Sequence, residues 1–181
     1  MKLFRKALVG AACGGVFFGS ALFGADEIKL LPIFTDKNYD PQVEVAAVVQ
    51  SVSFKNDTVS AYGAELSFDC PVFTLPGDHV LRQQLTLLSY DTAGEDTLSI
   101  EMNPYYFFKL RDNLQLGVGP GIGGIKSGDT WRFTYQAGAG VKYYATQNIL
   151  VGADVRWQGT AEKNGENIDN TRFIAKIGYR F

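Results

Sequence analysis

Thr171-Arg-Phe-Ile-Ala-Lys-Ile-Gly-Tyr-Arg-Phe181 decides the fold of this chain. Side chains of a strand point to alternate faces, so Phe173, Ala175, Ile177, Tyr179 and Phe181 share one face. Arg172, Ile174, Lys176, Gly178 and Arg180 share the other. One face is apolar and aromatic, and the other carries most of the charge. The stretch stops on Phe181 with no polar tail, which suits a strand whose apolar side meets lipid. From Phe173 to Phe181 a tilted strand rises roughly 20 Å, comparable with the ~25 Å apolar band of membrane barrels.

The same alternation recurs upstream. Eight runs covering roughly 42–54, 58–73, 80–90, 97–110, 114–126, 130–145, 149–158 and 171–181 alternate or nearly alternate, separated by turn residues. In the sixth, Trp131, Phe133, Tyr135, Ala137, Ala139, Val141 and Tyr143 oppose Arg132, Thr134, Gln136, Gly138, Gly140 and Lys142. In the seventh, Ile149, Val151, Ala153, Val155 and Trp157 oppose Leu150, Gly152, Asp154, Arg156 and Gln158. The second sets Tyr62, Ala64, Leu66, Phe68 and Cys70 against Gly63, Glu65, Ser67 and Asp69. The facing of the first and third is left open by their composition. No part of the chain after residue 25 shows a helical period, and no repeat of fixed length is visible.

An even number of ~10-residue alternating strands is the pattern of a transmembrane barrel. Closure removes the unpaired edges that hydrocarbon would penalise. The expected fold is all-β, an eight-stranded antiparallel up-and-down barrel. Aromatic positions fit two membrane–water interfaces. Trp131, Phe133, Trp157 and Phe173 lie toward one end of their strands, and Tyr106, Phe108, Tyr143, Tyr179 and Phe181 toward the other.

The start of the chain reads as an export signal. Lys2, Arg5 and Lys6 precede an uncharged run from Ala7 to Ala25. Gly24 and Ala25 offer a cleavage point, so residues 1–25 are expected to be removed. Residues 26–41 are then a short lead-in, and 42–181 the barrel. With the first 25 residues gone, the formal charge falls from −2 to about −5, and no basic block suggests nucleic acid. One cysteine remains, Cys70, on the apolar face of its run, so no internal disulfide is expected.

The signal, the eight amphipathic strands and the Thr171–Phe181 ending resemble the small outer-membrane β-barrels of Gram-negative bacteria. Phe181, with Tyr179 and Ile177 at alternating positions, resembles the signal by which such barrels are assembled. The resemblance implies a monomer in the outer membrane, with outer-membrane lipid and the barrel-assembly machinery as partners. It implies periplasmic termini and periplasmic turns near 74–79, 111–113 and 146–148. Loops near 55–57, 91–96, 127–129 and 159–170 would be external. The longest is only Gly159 to Asn170, shorter than adhesins and porins usually display.

The face opposite the apolar one collects Glu65, Asp69, Arg82, Glu101, Lys109, Arg132, Lys142, Asp154, Arg156, Lys176 and Arg180. The interior of an eight-stranded barrel can be filled by side chains. These charges are expected to form an ion-paired lumen, with Asp154 near Lys176. Gly117, Gly119, Gly121 and Gly123 share that face. If the turn at 111–113 sets the register, Phe107 covers Gly117 and Tyr105 covers Gly119, a packing that compensates strand glycines. The same register expects Glu101 and Arg132 to meet across Gly123.

Catalytic and cofactor signals are weak. Gly119-Pro-Gly-Ile-Gly-Gly124 has the G-x-G-x-x-G spacing, but an aromatic strand follows where a dinucleotide site needs a helix. The lone His79, in Pro76-Gly-Asp-His, has no placed partner for acid–base work. No cofactor, metal or enzymatic activity is expected. The reading is a non-enzymatic barrel with a mostly closed polar lumen and a structural or accessory envelope role. A small pore for ions or solutes is the alternative. A lipocalin-like soluble binder, with the facing reversed, and a lipid-modifying barrel enzyme are further ones.

Overall fold

A computed structural model describes residues 29–54, 57–75, 77–92, 94–161 and 169–181. The expected signal segment 1–25 and most of the 159–170 loop lie outside the described residues. Among the described residues ten strands appear: β1 (Lys29–Leu30), β2 (Glu44–Ser53), β3 (Thr58–Asp69), β4 (Phe73–Thr74), β5 (His79–Thr92), β6 (Glu95–Arg111), β7 (Leu114–Ser127), β8 (Thr130–Tyr144), β9 (Ile149–Thr160) and β10 (Asn170–Arg180). A single short helix, α1 (Pro32–Thr35), is the only helix among them.

Eight strands close into an antiparallel barrel in the order β10-β2-β3-β5-β6-β7-β8-β9. Sequential neighbours pair by hairpins. The last strand then returns to the first, from Thr171 opposite Ser53 to Arg180 opposite Glu44. Closure leaves no unpaired edge in the ring. The two short strands β1 and β4 pair with each other outside it. We call the end carrying Glu44, Arg180 and the β6–β7 and β8–β9 turns the terminus end, and the other the loop end.

Alternation sorts the side chains. Along β8 the apolar residues Trp131, Phe133, Tyr135 and Tyr143 are exposed, while Thr134, Gln136 and Lys142 are buried. Along β10, Phe173, Ile177 and Tyr179 are exposed, while Arg172, Ile174 and Lys176 are buried. The polarity is the reverse of a water-soluble barrel, where charges face out. The wall is apolar and the centre charged, as a chain surrounded by hydrocarbon requires.

Glycines make room for the filled interior at two places that matter. A Cβ on Gly117 would come within 2.6 Å of Cδ1 of the Phe107 ring, and one on Gly119 within 2.7 Å of Cδ2 of the Tyr105 ring. Both rings are buried and lie across missing side chains. They tilt against each other, with centroids 5.7 Å apart.

The register corrects one expectation. Gly128 adopts a left-handed φ of 53° in the turn after β7, and Ser127 pairs directly with Thr130. This tight turn sets Gly123 opposite Thr134 and Arg132 opposite Ile125. Arg132 is therefore one inward position nearer the loop end than expected, and Glu101 takes other cations.

Candidate functional site

The barrel interior is the site with the greatest density of functional groups. Its charges fall into three tiers, each centred on one glutamate from a different strand.

Glu44, at the start of β2, centres the tier nearest the terminus end. Alternation along β2 turns it inward with Ala46, Val48, Gln50 and Val52, and it is 1% exposed. It forms an ion pair with Arg82 of β5. Lys142 of β8 approaches its Oε2 at 2.8 Å, and Arg180 of β10 its Oε1 at 3.0 Å. Tyr144 donates its hydroxyl to Oε1 at 2.8 Å, and Ser67 donates to Oε2 at 3.0 Å. Asp69 takes the other side of Arg82, at 2.6 Å. The Arg180 guanidinium sits 3.8 Å from the Tyr144 ring centroid, a cation–π contact.

Glu65 of β3 centres the second tier. Lys176 of β10 donates to both its oxygens, at 3.0 and 3.2 Å. Arg156 of β9 reaches it at 3.4 Å. Asp154 accepts from Lys176 at 2.8 Å and from Arg156 at 2.9 Å. Arg156 also donates to Gln84 Oε1 at 2.9 Å, on β5 across the ring.

Glu101 of β6 centres the third tier. It pairs with Arg172 of β10, on the diametrically opposite strand. Ser99 donates to its Oε1 at 2.8 Å, and Gln136 donates to its Oε2 at 3.1 Å. Arg156 stands 3.7 Å away, joining this tier to the second. Arg172 also donates to Gln158 and, at 2.9 Å, to Asn170.

The three glutamates, Asp154 and their main cations are nearly devoid of solvent exposure. Such burial is costly unless pairing and hydrogen bonds compensate the lost hydration. Here each of these four carboxylates has at least two cationic neighbours. A carboxylate so committed is a poor general base or nucleophile, since its lone pairs are already engaged.

Placement of the expected residues differs by position. Glu65, Asp69, Arg82, Glu101, Lys142, Asp154, Arg156, Lys176 and Arg180 lie in the three tiers, and Asp154 contacts Lys176 as the hairpin spacing suggests. Lys109 does not join them. It sits beside the register shift between Lys109 and Arg111 at the end of β6, and is exposed at the rim. Glu44 and Arg172 are tier residues absent from the expected set. Arg172 is legible as an inward residue of its strand, one position from the aromatic Phe173. Glu44 is not, because β2 is apolar on both faces.

The aromatic residues fall at two levels. Trp131, Phe133, Trp157 and Phe173 are exposed on the outer wall toward the loop end. Tyr143, Tyr179 and Phe181 are exposed toward the terminus end, where Tyr106 and Phe108 are half-buried. His79 stacks on Tyr106 with its Nδ1 2.6 Å from the hydroxyl. Among the described residues, no group of three or more His, Cys, Asp or Glu side chains is arranged to hold a metal.

Several solved structures share this architecture. One is the attachment invasion locus protein Ail of Yersinia pestis, solved with the heparin analogue sucrose octasulfate. It matches with a TM-score of 0.54 at 13% identity, over 77% of this chain and 97% of Ail. Neisserial surface protein A matches at 0.52 and 16% identity, over 76% of this chain and 94% of its own. The outer membrane enzyme PagL matches at 0.53 and 18% identity, over 74% and 97%. No protein-family model and no curated protein sequence matches the chain. The chain thus has the fold of the small eight-stranded outer-membrane β-barrels. At these identities the likeness is one of fold, and one of these folds carries an enzyme, so architecture alone does not assign chemistry.

Proposed function

We propose that this protein is a non-enzymatic outer-membrane barrel with an ion-paired, mostly closed lumen and a structural or accessory role in the envelope. Residues 1–25 serve as a cleaved export signal, the termini face the periplasm, and the barrel-assembly machinery receives the chain through β10. The protein works as a monomer in contact with outer-membrane lipid. The observation that carries the closed-lumen reading is the Arg172–Glu101 pair, which bridges opposite walls of the barrel. Arg156 adds a second bridge, to Gln84 across the ring. A hydrated ion would have to displace charge pairs in all three tiers, and each displacement strands a buried charge.

Planar-bilayer recording of the refolded protein tests this. Electrically silent insertions are expected. Stable unitary currents would replace the closed-lumen reading with the small pore. One observation favours that second reading. Both amide atoms of Gln50, together with the Thr86 and Thr134 hydroxyls, are buried in the lumen without a protein partner, and groups of this kind are commonly met by water. The non-enzymatic part is tested separately: expression is expected to leave the lipid profile of the outer membrane unchanged, and a new lipid species would overturn it.

A further inference from the structure

Residues 31–42 are fastened at both ends to one corner of the barrel. The Leu31 amide donates to the Val72 carbonyl at 2.7 Å, and β1 pairs with β4 just before it. At the far end, the Asp69 amide donates to the Pro41 carbonyl at 2.7 Å. Between them, the Tyr39 hydroxyl donates to the Asp69 carbonyl at 2.6 Å. Both anchors are at the terminus end of β3 and the chain that continues it. Leu31 and Gln42 hold left-handed φ values of 50° and 46°, the only non-glycine residues with positive φ among those described. That backbone crowds a Cβ and persists only where its surroundings impose it. The segment therefore turns sharply at both ends and is held between two fixed points.

The outer wall beside these anchors is covered. Register sets Phe68 in line with the outward residues Leu66 and Tyr62, and pairs it with Gln83. Yet Phe68 is 1% and Gln83 6% exposed, against 60% for Tyr62 and 50% for Leu87. An amide on the lipid side of a barrel would be penalised in hydrocarbon. Covering that corner keeps the Gln83 side chain away from hydrocarbon, while its buried Nε2 has no hydrogen-bond partner among the described residues.

The segment presents its own apolar side. Phe34 is 82% and Leu30 61% exposed, with Leu31 beside them. Phe34 is thus more exposed than any large apolar residue described on the barrel wall. Polar residues follow at once, in Asp36-Lys-Asn. An apolar half followed by a polar half suits a membrane–water interface. The level also matches, because Tyr106, Phe108, Tyr143, Tyr179 and Phe181 mark the interface at this end of the barrel.

We infer that residues 31–42 are an interfacial strap: they lie on the outer wall at the β3–β5 corner and seat Leu31 and Phe34, with the adjoining Leu30, in the phospholipid leaflet at the terminus end. The inference rests on the outer-membrane reading. It gives the lead-in a partner, the lipid surface, rather than the barrel mouth.

Tryptophan quenching separates the two claims. Phe34→Trp is introduced into a Trp131→Phe/Trp157→Phe chain, which is refolded into phosphatidylcholine vesicles carrying bromine on the acyl chain near the headgroup. The unsubstituted chain, with Trp131 and Trp157 on the wall, is the control. The strap predicts blue-shifted emission from the introduced tryptophan. That emission loses most of its intensity in these vesicles and less when bromine lies near the bilayer centre. Water-like, unquenched emission from the introduced indole, alongside quenched wall tryptophans in the control, would overturn the strap and leave the membrane barrel standing. If the wall tryptophans also stay unquenched, the membrane reading falls and the strap's lipid partner falls with it. Because Phe34 is exposed, the substitution leaves the packed barrel untouched.

Discussion

At Glu44 three cations and two hydroxyls converge on one buried carboxylate. Truncating it leaves the buried Lys142 without its carboxylate partner, while Arg82, also almost fully buried, keeps only the Asp69 carboxylate. Breaking a buried pair by removing one partner costs about 3–5 kcal/mol, since the remaining charge loses its compensation. Glu44→Ala is therefore expected to lower the urea midpoint of the refolded barrel markedly. Glu44→Gln, which keeps an acceptor oxygen, should lower it less. Equal midpoints for Glu44→Ala and the unsubstituted chain would show that the tier is not held by this carboxylate. Glycines give a second comparison. Gly119→Ala drives a methyl into the Tyr105 ring and the Pro104 backbone, whereas a methyl at Gly124 meets the Trp131 ring at 3.2 Å and is free to push it outward. Overpacking of the first kind costs roughly 1–3 kcal/mol. Gly119→Ala should thus unfold at lower urea than Gly124→Ala, and the reverse order would contradict the ring-over-glycine packing.

Single strands carry their two faces independently, and β10 shows how. Ile177 faces outward at 59% exposure, while Lys176 beside it is buried at 4%. A lysine on the lipid face near the bilayer centre costs about 2–4 kcal/mol. Ile177→Lys is expected to reduce the fraction that folds in vesicles, seen as loss of the compact band on an unheated gel. Normal folding would place Ile177 outside the hydrocarbon. This strand is legible in the sequence because its faces differ so strongly. In β2, Val45, Ala47 and Val49 face out, but Ala46, Val48 and Val52 face in. Val48 packs inside against Leu88 and Ile174, and Val52 against Ala61 and Tyr90. With apolar side chains on both faces the period-2 contrast disappears, and Glu44 disappears with it. Facing is a property of one strand, whereas register depends on the turn between two. The Gly128 turn sets Arg132 opposite Ile125, and the irregularity near Lys109 leaves that lysine at the rim. Neither can be read from alternation. The strap is hidden for a related reason: its position depends on hydrogen bonds to residues 69–74, distant in sequence.

Closure of the whole molecule depends on one seam, where β10 meets β2 and residues 171–180 pair with 44–53. Every other strand pair in the ring is a hairpin or near-neighbour contact, but this one joins the two ends of the barrel sequence. Such a contact must overcome a large loop-closure entropy, and it is the step at which a second copy could substitute its own β10. Closure within one chain and exchange between chains predict different covalent products. Ala47 and Ile177 are direct partners across the seam, and both point outward. Directly opposed antiparallel residues lie about 4.5–5.5 Å apart at Cα, within the range a disulfide accepts. A chain lacking Cys13 and Cys70 and carrying Ala47→Cys and Ile177→Cys is therefore expected to oxidise within itself after folding. On a denaturing, non-reducing gel it should run as a single monomer band, faster than its reduced form because the crosslink keeps a long loop closed. Exchange of β10 between copies would instead give a ladder of linked multimers at the same protein concentration. A ladder that persists on dilution would refute the single-chain barrel, while a monomer band at every concentration would fix the seam as intramolecular.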